Sequence, residues 1–225
     1  MDNELKKEII LDNYKYPFNK DGSDALGYEK VNANNVSCVD DIDLYIYIKQ
    51  KKEGISDEDA LKHIHEVSAL THAHARSLIS CGLYFFLVKG ILENNTSLKD
   101  CLQLGIDAGF RFYGERGYFT KELDYFKRIK DLEKFSCVPE TDIRSSAYVV
   151  DSLEAALWCL LNTETYRSCT LGAVNLGDDT DTVAAIAGGL AGLFYGYSDI
   201  PLEWLEMIQR REWIENMCKD MERIY

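Results

Sequence analysis

The eight residues Asn175-Leu-Gly-Asp-Asp-Thr-Asp-Thr182 hold the densest chemistry in this chain. Three carboxylates (Asp178, Asp179, Asp181) and two hydroxyls (Thr180, Thr182) fall within five consecutive residues. Carboxylates so crowded repel one another, and hard oxygen donors of this kind suit Mg²⁺, Mn²⁺ or Ca²⁺, which relieve the repulsion. The plainer reading is that Asp and Thr cap the next helix and complement its dipole, each contributing about 1 kcal/mol. One cap needs one such residue. Five of them beside Gly177 exceed that need, so a metal or anion site stands next to the capping reading. The calcium-loop pattern D-x-[DN]-x-[DN]-G is absent, which excludes an EF-hand.

The four histidines, His63, His65, His72 and His74, lie in one stretch. A spacing of two on a helix turns the side chains about 200° apart, so neither pair makes the chelating face that H-x-x-x-H would. No zinc site is expected, and exposed or capping roles fit best. His72, after Thr71 at a helix start, is the one placed to meet a ligand. The turn Arg144-Ser-Ser-Ala-Tyr148 precedes a helix and can present backbone amides to an anion. Glycines 105, 109, 114 and 117 form no G-x-G-x-x-G and follow no strand, so no dinucleotide cradle is supported.

The elements that must position these residues read as helices. There are three prolines, and apolar residues recur at three- and four-residue spacing over long stretches. A short helix covers Leu44–Ile48, and Ser56 caps another whose first turn carries Asp57, Glu58 and Asp59. Apolar helices follow from Ala73 to Leu92, from Ser97 to Phe110 and from Thr120 to Ile129. After Pro139, Ser145 or Ser146 opens a helix to Leu160, and Thr163 opens one ending near Val174. Ala184, Ala185, Ala187, Gly188, Gly189, Ala191 and Gly192 make the helix after the Asp cluster so slim that its backbone is expected to lie close to a neighbour. The pattern predicts an all-α fold of about nine helices in one domain, residues 43–225, after an irregular, turn-rich segment, residues 1–42.

Composition bounds the partners. With 25 basic and 38 acidic side chains the net charge is −13, which repels a phosphate backbone and anionic lipid alike. Sequence-independent nucleic-acid binding and a membrane role are therefore not expected. The longest low-charge run, 183–197, is shorter than a bilayer span. The seven widely spaced cysteines fit free thiols, and with no apolar signal core near Met1 a cytoplasmic setting is expected.

Three blocks carry a family likeness: Glu66-Val-Ser-Ala-Leu-Thr-His-Ala-His-Ala-Arg-Ser77, Ser145-Ser-Ala-Tyr-Val-Val-Asp-Ser-Leu-Glu-Ala-Ala-Leu-Trp158, and Ala173-Val-Asn-Leu-Gly-Asp-Asp-Thr-Asp-Thr-Val-Ala-Ala-Ile-Ala-Gly-Gly-Leu-Ala-Gly192. In this order they resemble the ADP-ribosylglycohydrolases of the dinitrogenase-reductase-activating type. The resemblance implies a compact all-α fold, two divalent ions, usually Mg²⁺ or Mn²⁺, and hydrolysis of ADP-ribose at its anomeric carbon. Carried over by position, it makes Asp179, Asp181 and Thr182 metal ligands, with the two aspartates catalytic. His72, Ser146, Ala147, Tyr148, Asn175, Gly177 and Asp178 would line the ADP-ribose cleft, Ala147 standing where glycine is common.

The likeness fades before His72. Ser23-Asp-Ala-Leu-Gly27 echoes the family's G-D-A-x-G, and Asp40-Asp41 lacks the hydroxyl neighbours of its Thr/Ser-Asp-Asp-Thr motif. Asn32-Ala-Asn-Asn stands where the family carries N-G-x-x-M-R. The residues look like a family member without its N-terminal third, so a single ion or none is expected, unless Asp40 and Asp41 rebuild a second ligand pair. The expected ligand is ADP-ribose or an ADP-ribosylated macromolecule, with weak or no hydrolysis by this chain alone. The alternative is a non-catalytic protein-binding module, inhibitor or decoy of the same descent. Helix faces without their usual cover imply self-association or a protein partner.

Overall fold

A computed structural model describes Tyr47, Gln50, Lys51 and residues 53–224. Segment 1–42 with Asp40 and Asp41, and the start of the Leu44–Ile48 helix, lie outside the described residues. Among those described, every regular element is helical: ten α-helices and three short 3-10 segments, with no strand. The all-α expectation holds.

The first helix, α1 (Asp57–Ser68), begins as expected, with Ser56 Oγ accepting from the Asp59 amide and three acidic residues in its first turn. Helix α2 (Ala75–Glu93) is the centre of the core, with Ile79, Leu83, Phe85, Leu87 and Val88 fully enclosed. By length and composition α2 could cross a bilayer, yet 67% of its most apolar stretch is buried by neighbouring helices. The helix starts at Ala75, two residues later than Ala73, and its cap is His74, whose Nδ1 accepts from the Arg76 amide at 3.2 Å.

Helix α3 (Leu98–Gly114) lies against α2 so tightly that the two backbones touch. A Cβ on Gly90 would sit 2.3 Å from the Cys101 carbonyl oxygen, and one on Gly105 would sit 2.4 Å from that of Phe86. The Ala/Gly-rich helix is also packed closely against its neighbours, as expected, though with more room at its glycines. In α8 (Thr180–Tyr195), a Cβ on Gly188 would only meet the Tyr166 hydroxyl at 3.4 Å, and one on Gly192 its ring at 3.7 Å. At these two positions the slim residues of α8 leave room for the Tyr166 side chain.

Helix α4 (Gly117–Leu123) runs into a 3-10 segment (Asp124–Lys130) and then α5 (Leu132–Ser136). Thr120 does not open a helix; it lies inside α4, its hydroxyl donating to the Arg116 carbonyl at 3.2 Å. Helix α6 (Val149–Leu161) starts after Tyr148, later than Ser145 or Ser146, and α7 (Tyr166–Asn175) is capped by Thr165 in a reciprocal box with Ser168 instead of by Thr163. Helices α6, α7 and α8 pack together, and both α6 and α8 reach α2. Arg128 fastens the 3-10 segment to this group: its Nη1 donates to the buried Glu154 carboxylate at 2.6 Å and its Nη2 to the Asp142 carbonyl at 3.2 Å. Burial raises the pKa of Glu154, with Arg128 opposing that shift.

The chain closes with α9 (Leu202–Met207) and α10 (Arg211–Ile224). These leave Leu202, Met207, Trp213, Ile214 and Met217 in solvent, Met207 at 77% and Trp213 at 62% exposure.

Candidate functional site

The site is built where three helices begin, at the starts of α2, α6 and α8. Between α7 and α8 the chain reverses through two residues in the left-handed region, Gly177 (φ +83°) and Asp178 (φ +56°). Glycine adopts this freely, and Asp is among the few side chains that tolerate it. The reversal presents Asp179 to the loop before α6. There the Asp179 amide donates to the Ser145 carbonyl at 3.0 Å, and Ser145 Oγ donates to the Gly177 carbonyl at 2.9 Å. One buried serine therefore ties the 145–148 turn to the Asp cluster from both sides.

That turn is organised before any ligand arrives. Ser146 Oγ donates to Asp151 at 2.7 Å and accepts from the Tyr148 amide at 3.2 Å. Ser152 Oγ lies within donating distance of the Ser146 carbonyl at 2.9 Å and the Tyr148 carbonyl at 3.2 Å. The Tyr148 amide is thus already engaged, which narrows the anion site expected of the turn. From α2, Arg76 Nη1 donates to the Tyr148 hydroxyl at 2.9 Å, and Ser80 Oγ reaches the Val149 carbonyl at 3.5 Å. His72 is exposed, four residues ahead of Arg76, with its Nδ1 3.1 Å from Thr71 Oγ1. Segments 145–148 and 177–179 are bonded directly, whereas His72 joins them only through the first turn of α2. Ala147 and Asn175 are exposed at the edges of the same turn and loop.

Capping does not explain the carboxylates. Asp179 holds the N-cap position of α8, yet its side chain makes no capping bond. Asp181 Oδ1 accepts only from the adjacent Thr182 amide, at 2.9 Å. None of the ion pairs among the described residues involves Asp178, Asp179 or Asp181. Carboxylates left uncompensated on one turn are the chemistry a hard divalent ion would relieve. Among the described residues, though, no group of three or more His, Cys, Asp or Glu side chains is arranged for a metal.

Sequence reasoning placed Ser145 in the anion turn but not at its joint with the Asp cluster, and passed over Ser152, Asp151 and Arg76 as parts of this site. The Ser145 joint spans 32 residues and the Arg76–Tyr148 bond 72, and no local pattern signals either. It also passed over His65. Its Nε2 lies 2.7 Å from the Tyr113 hydroxyl, and it packs against the rings of Tyr113 and Phe119. Burial lowers its pKa to about 4, with the Arg116 charge adding to the effect.

The helical arrangement is similar to that of a solved structure, an ADP-ribosylglycohydrolase-related protein complex. The two share 28% identity and a TM-score of 0.57 over 70% of this chain and 50% of that one. The chain belongs to the ADP-ribosylglycohydrolase family, which it matches over residues 46–225. It is similar to the ADP-ribosylarginine hydrolase Tri1 of Serratia proteamaculans (strain 568), with 49% identity over 80 residues, 36% of this chain and 22% of that protein. It is also similar to the ADP-ribosyl-[dinitrogen reductase] glycohydrolase of Rhodospirillum rubrum, with 44% identity over 127 residues, 56% of this chain and 42% of that protein. In both cases the chain spans less than half the length of the relative.

Proposed function

We propose that this chain binds ADP-ribose, or the ADP-ribosyl group of a modified macromolecule, in a cleft between the 146–148 turn and the Asp cluster. Hydrolysis by this chain alone is weak or absent. The observation that carries the reading is the double tie of Ser145, which fixes the two family segments against each other across 32 residues of sequence. The names of the relatives supply the class of substrate, an ADP-ribosyl group on arginine or on a protein.

Asp179, Asp181 and Thr182 would hold one Mg²⁺ or Mn²⁺. When bound, such an ion supplies positive charge that polarises ribose hydroxyls and acidifies a water for attack at the anomeric carbon. Gly177 and Asp178 set the direction of this ligand turn, and Ser145 keeps it from moving relative to Tyr148. Ser146 and Tyr148 form the opposite wall, and His72 offers a ring nitrogen at the rim. Hydrolysis also requires both ribose hydroxyls and the attacking water to be fixed together. A donor set suited to one ion holds a cation without meeting that demand, which favours binding over turnover.

Calorimetry with Mg²⁺, Mn²⁺ and ADP-ribose, paired with an ADP-ribose release assay on ADP-ribosyl-arginine and -serine protein, tests the reading. One ion per chain, measurable ADP-ribose binding and no detectable release are expected. Two tightly bound ions would bring Asp40 and Asp41 into the site. Multiple turnover abolished by Asp179→Ala would make the chain a hydrolase in its own right. Absence of any ADP-ribose binding would overturn the reading and leave a protein-binding module.

A further inference from the structure

We infer that Arg76 is a positioning residue for the candidate cleft, acting on ligand through Tyr148. The inference rests on the binding reading above and adds a residue that the family blocks do not single out. Three elements meet on this one guanidinium. Its Nε donates to Glu122 of α4 at 2.6 Å, its Nη1 donates to the Tyr148 hydroxyl at 2.9 Å, and its plane lies 3.7 Å from the ring centre of Tyr125 in the 3-10 segment. A planar fork can satisfy two acceptors on different edges while stacking on a ring; a lysine ammonium cannot do all three. Arg76 and Glu122 are each about three-quarters enclosed, so this is not a solvated surface pair.

The consequence falls on Tyr148, which is 38% exposed and would otherwise be free to swing at its ring end. Its backbone is already fixed by Ser146 and Ser152. With Arg76 holding the hydroxyl, both ends of the residue are fixed, and a ligand meeting the ring has less side-chain freedom to remove. Because the backbone bonds of the turn do not involve Arg76, its loss should free the ring without undoing the turn.

A double-mutant cycle read as ADP-ribose affinity tests this, with thermal unfolding run on every variant. Arg76→Met and Tyr148→Phe should each weaken binding about tenfold, equal to about 1.4 kcal/mol, and the double variant should be no weaker than either. Arg76→Lys should behave like Arg76→Met, since charge without the fork does not hold the hydroxyl. If Arg76→Met costs the same affinity whether or not the Tyr148 hydroxyl is present, or costs none at all, the inference is overturned and the binding reading stands. Failure of the unmodified chain to bind would instead overturn the binding reading. Even then, ¹⁹F spectra of fluorotyrosine-labelled protein without ligand decide whether Arg76 holds the ring: the Tyr148 resonance should sharpen in Arg76→Met, and an unchanged line refutes the restraint.

Discussion

Asp179 stands at the N-cap of α8 but its side chain makes no capping bond, so its carboxylate contributes little to the fold. Asp179→Ala should therefore abolish divalent-ion binding in calorimetry while changing unfolding free energy by no more than about 0.5 kcal/mol. A loss of stability well above that would return Asp179 to a capping role. His65 behaves in the opposite way, since its work is internal. Its Nε2 lies 2.7 Å from the Tyr113 hydroxyl, which also reaches the Leu78 carbonyl at 3.2 Å. With a folded pKa near 4 against an ordinary 6.5, the unfolded chain takes up the proton first as pH falls. Stability is then full above about pH 6.5 and declines between 6.5 and 4, by on the order of 2–3 kcal/mol. Melting curves from pH 7 to 4.5 should show this slope, and His65→Gln should flatten it. Of the four histidines, the exposed or capping roles expected from their spacing hold for His63, His72 and His74, with His74 the cap of α2. The spacing argument misses His65 because the same two-residue step that prevents chelation turns His65 inward, toward a tyrosine 48 residues away.

At the scale of elements, the crossing of α2 and α3 is the least forgiving contact. Gly105→Ala would drive a methyl group into the Phe86 carbonyl, and two helix backbones cannot both yield. A destabilisation of about 3 kcal/mol is expected, lowering the melting temperature by roughly 6–12 °C. Gly114→Ala, where a methyl group would meet nothing within 4 Å, serves as the control and should leave it nearly unchanged. Helix existence and type were readable in the sequence because apolar spacing, Ser56 and Ser97 are local signals. Several starts were not. Ser146 and Thr163 look like caps, but Ser146 braces a turn and Thr163 donates back to the Cys159 carbonyl at 2.7 Å, so the actual caps fall later. The Gly90–Gly105 contact was equally hidden, since glycine in sequence does not say which backbone will approach it. For the site, the crowding of carboxylates at 178–181 was legible in the composition. The joint made by Ser145 was not, because it depends on where α6 and α8 come to rest.

At the scale of the molecule, α9 and α10 leave Leu202, Met207, Trp213, Ile214 and Met217 in water, and large apolar side chains exposed in one stretch of chain carry an expectation of association. Light scattering or sedimentation should show concentration-dependent self-association at micromolar concentration, weakened by Trp213→Glu with Met217→Glu. A strict monomer that binds no apolar dye would contradict this. A different consequence attaches to α2. In the finished fold most of its apolar stretch is covered, but on a growing chain its 19 residues emerge as a segment apolar enough to be read as a membrane span. The largest single share of the cover comes from α3, which follows after residues 94–97. At about 5–20 residues per second, residues 94–114 appear within roughly one to four seconds. The brevity of that link sets how soon α3 can reach α2, well before α6 and α8 have been made to complete the cover.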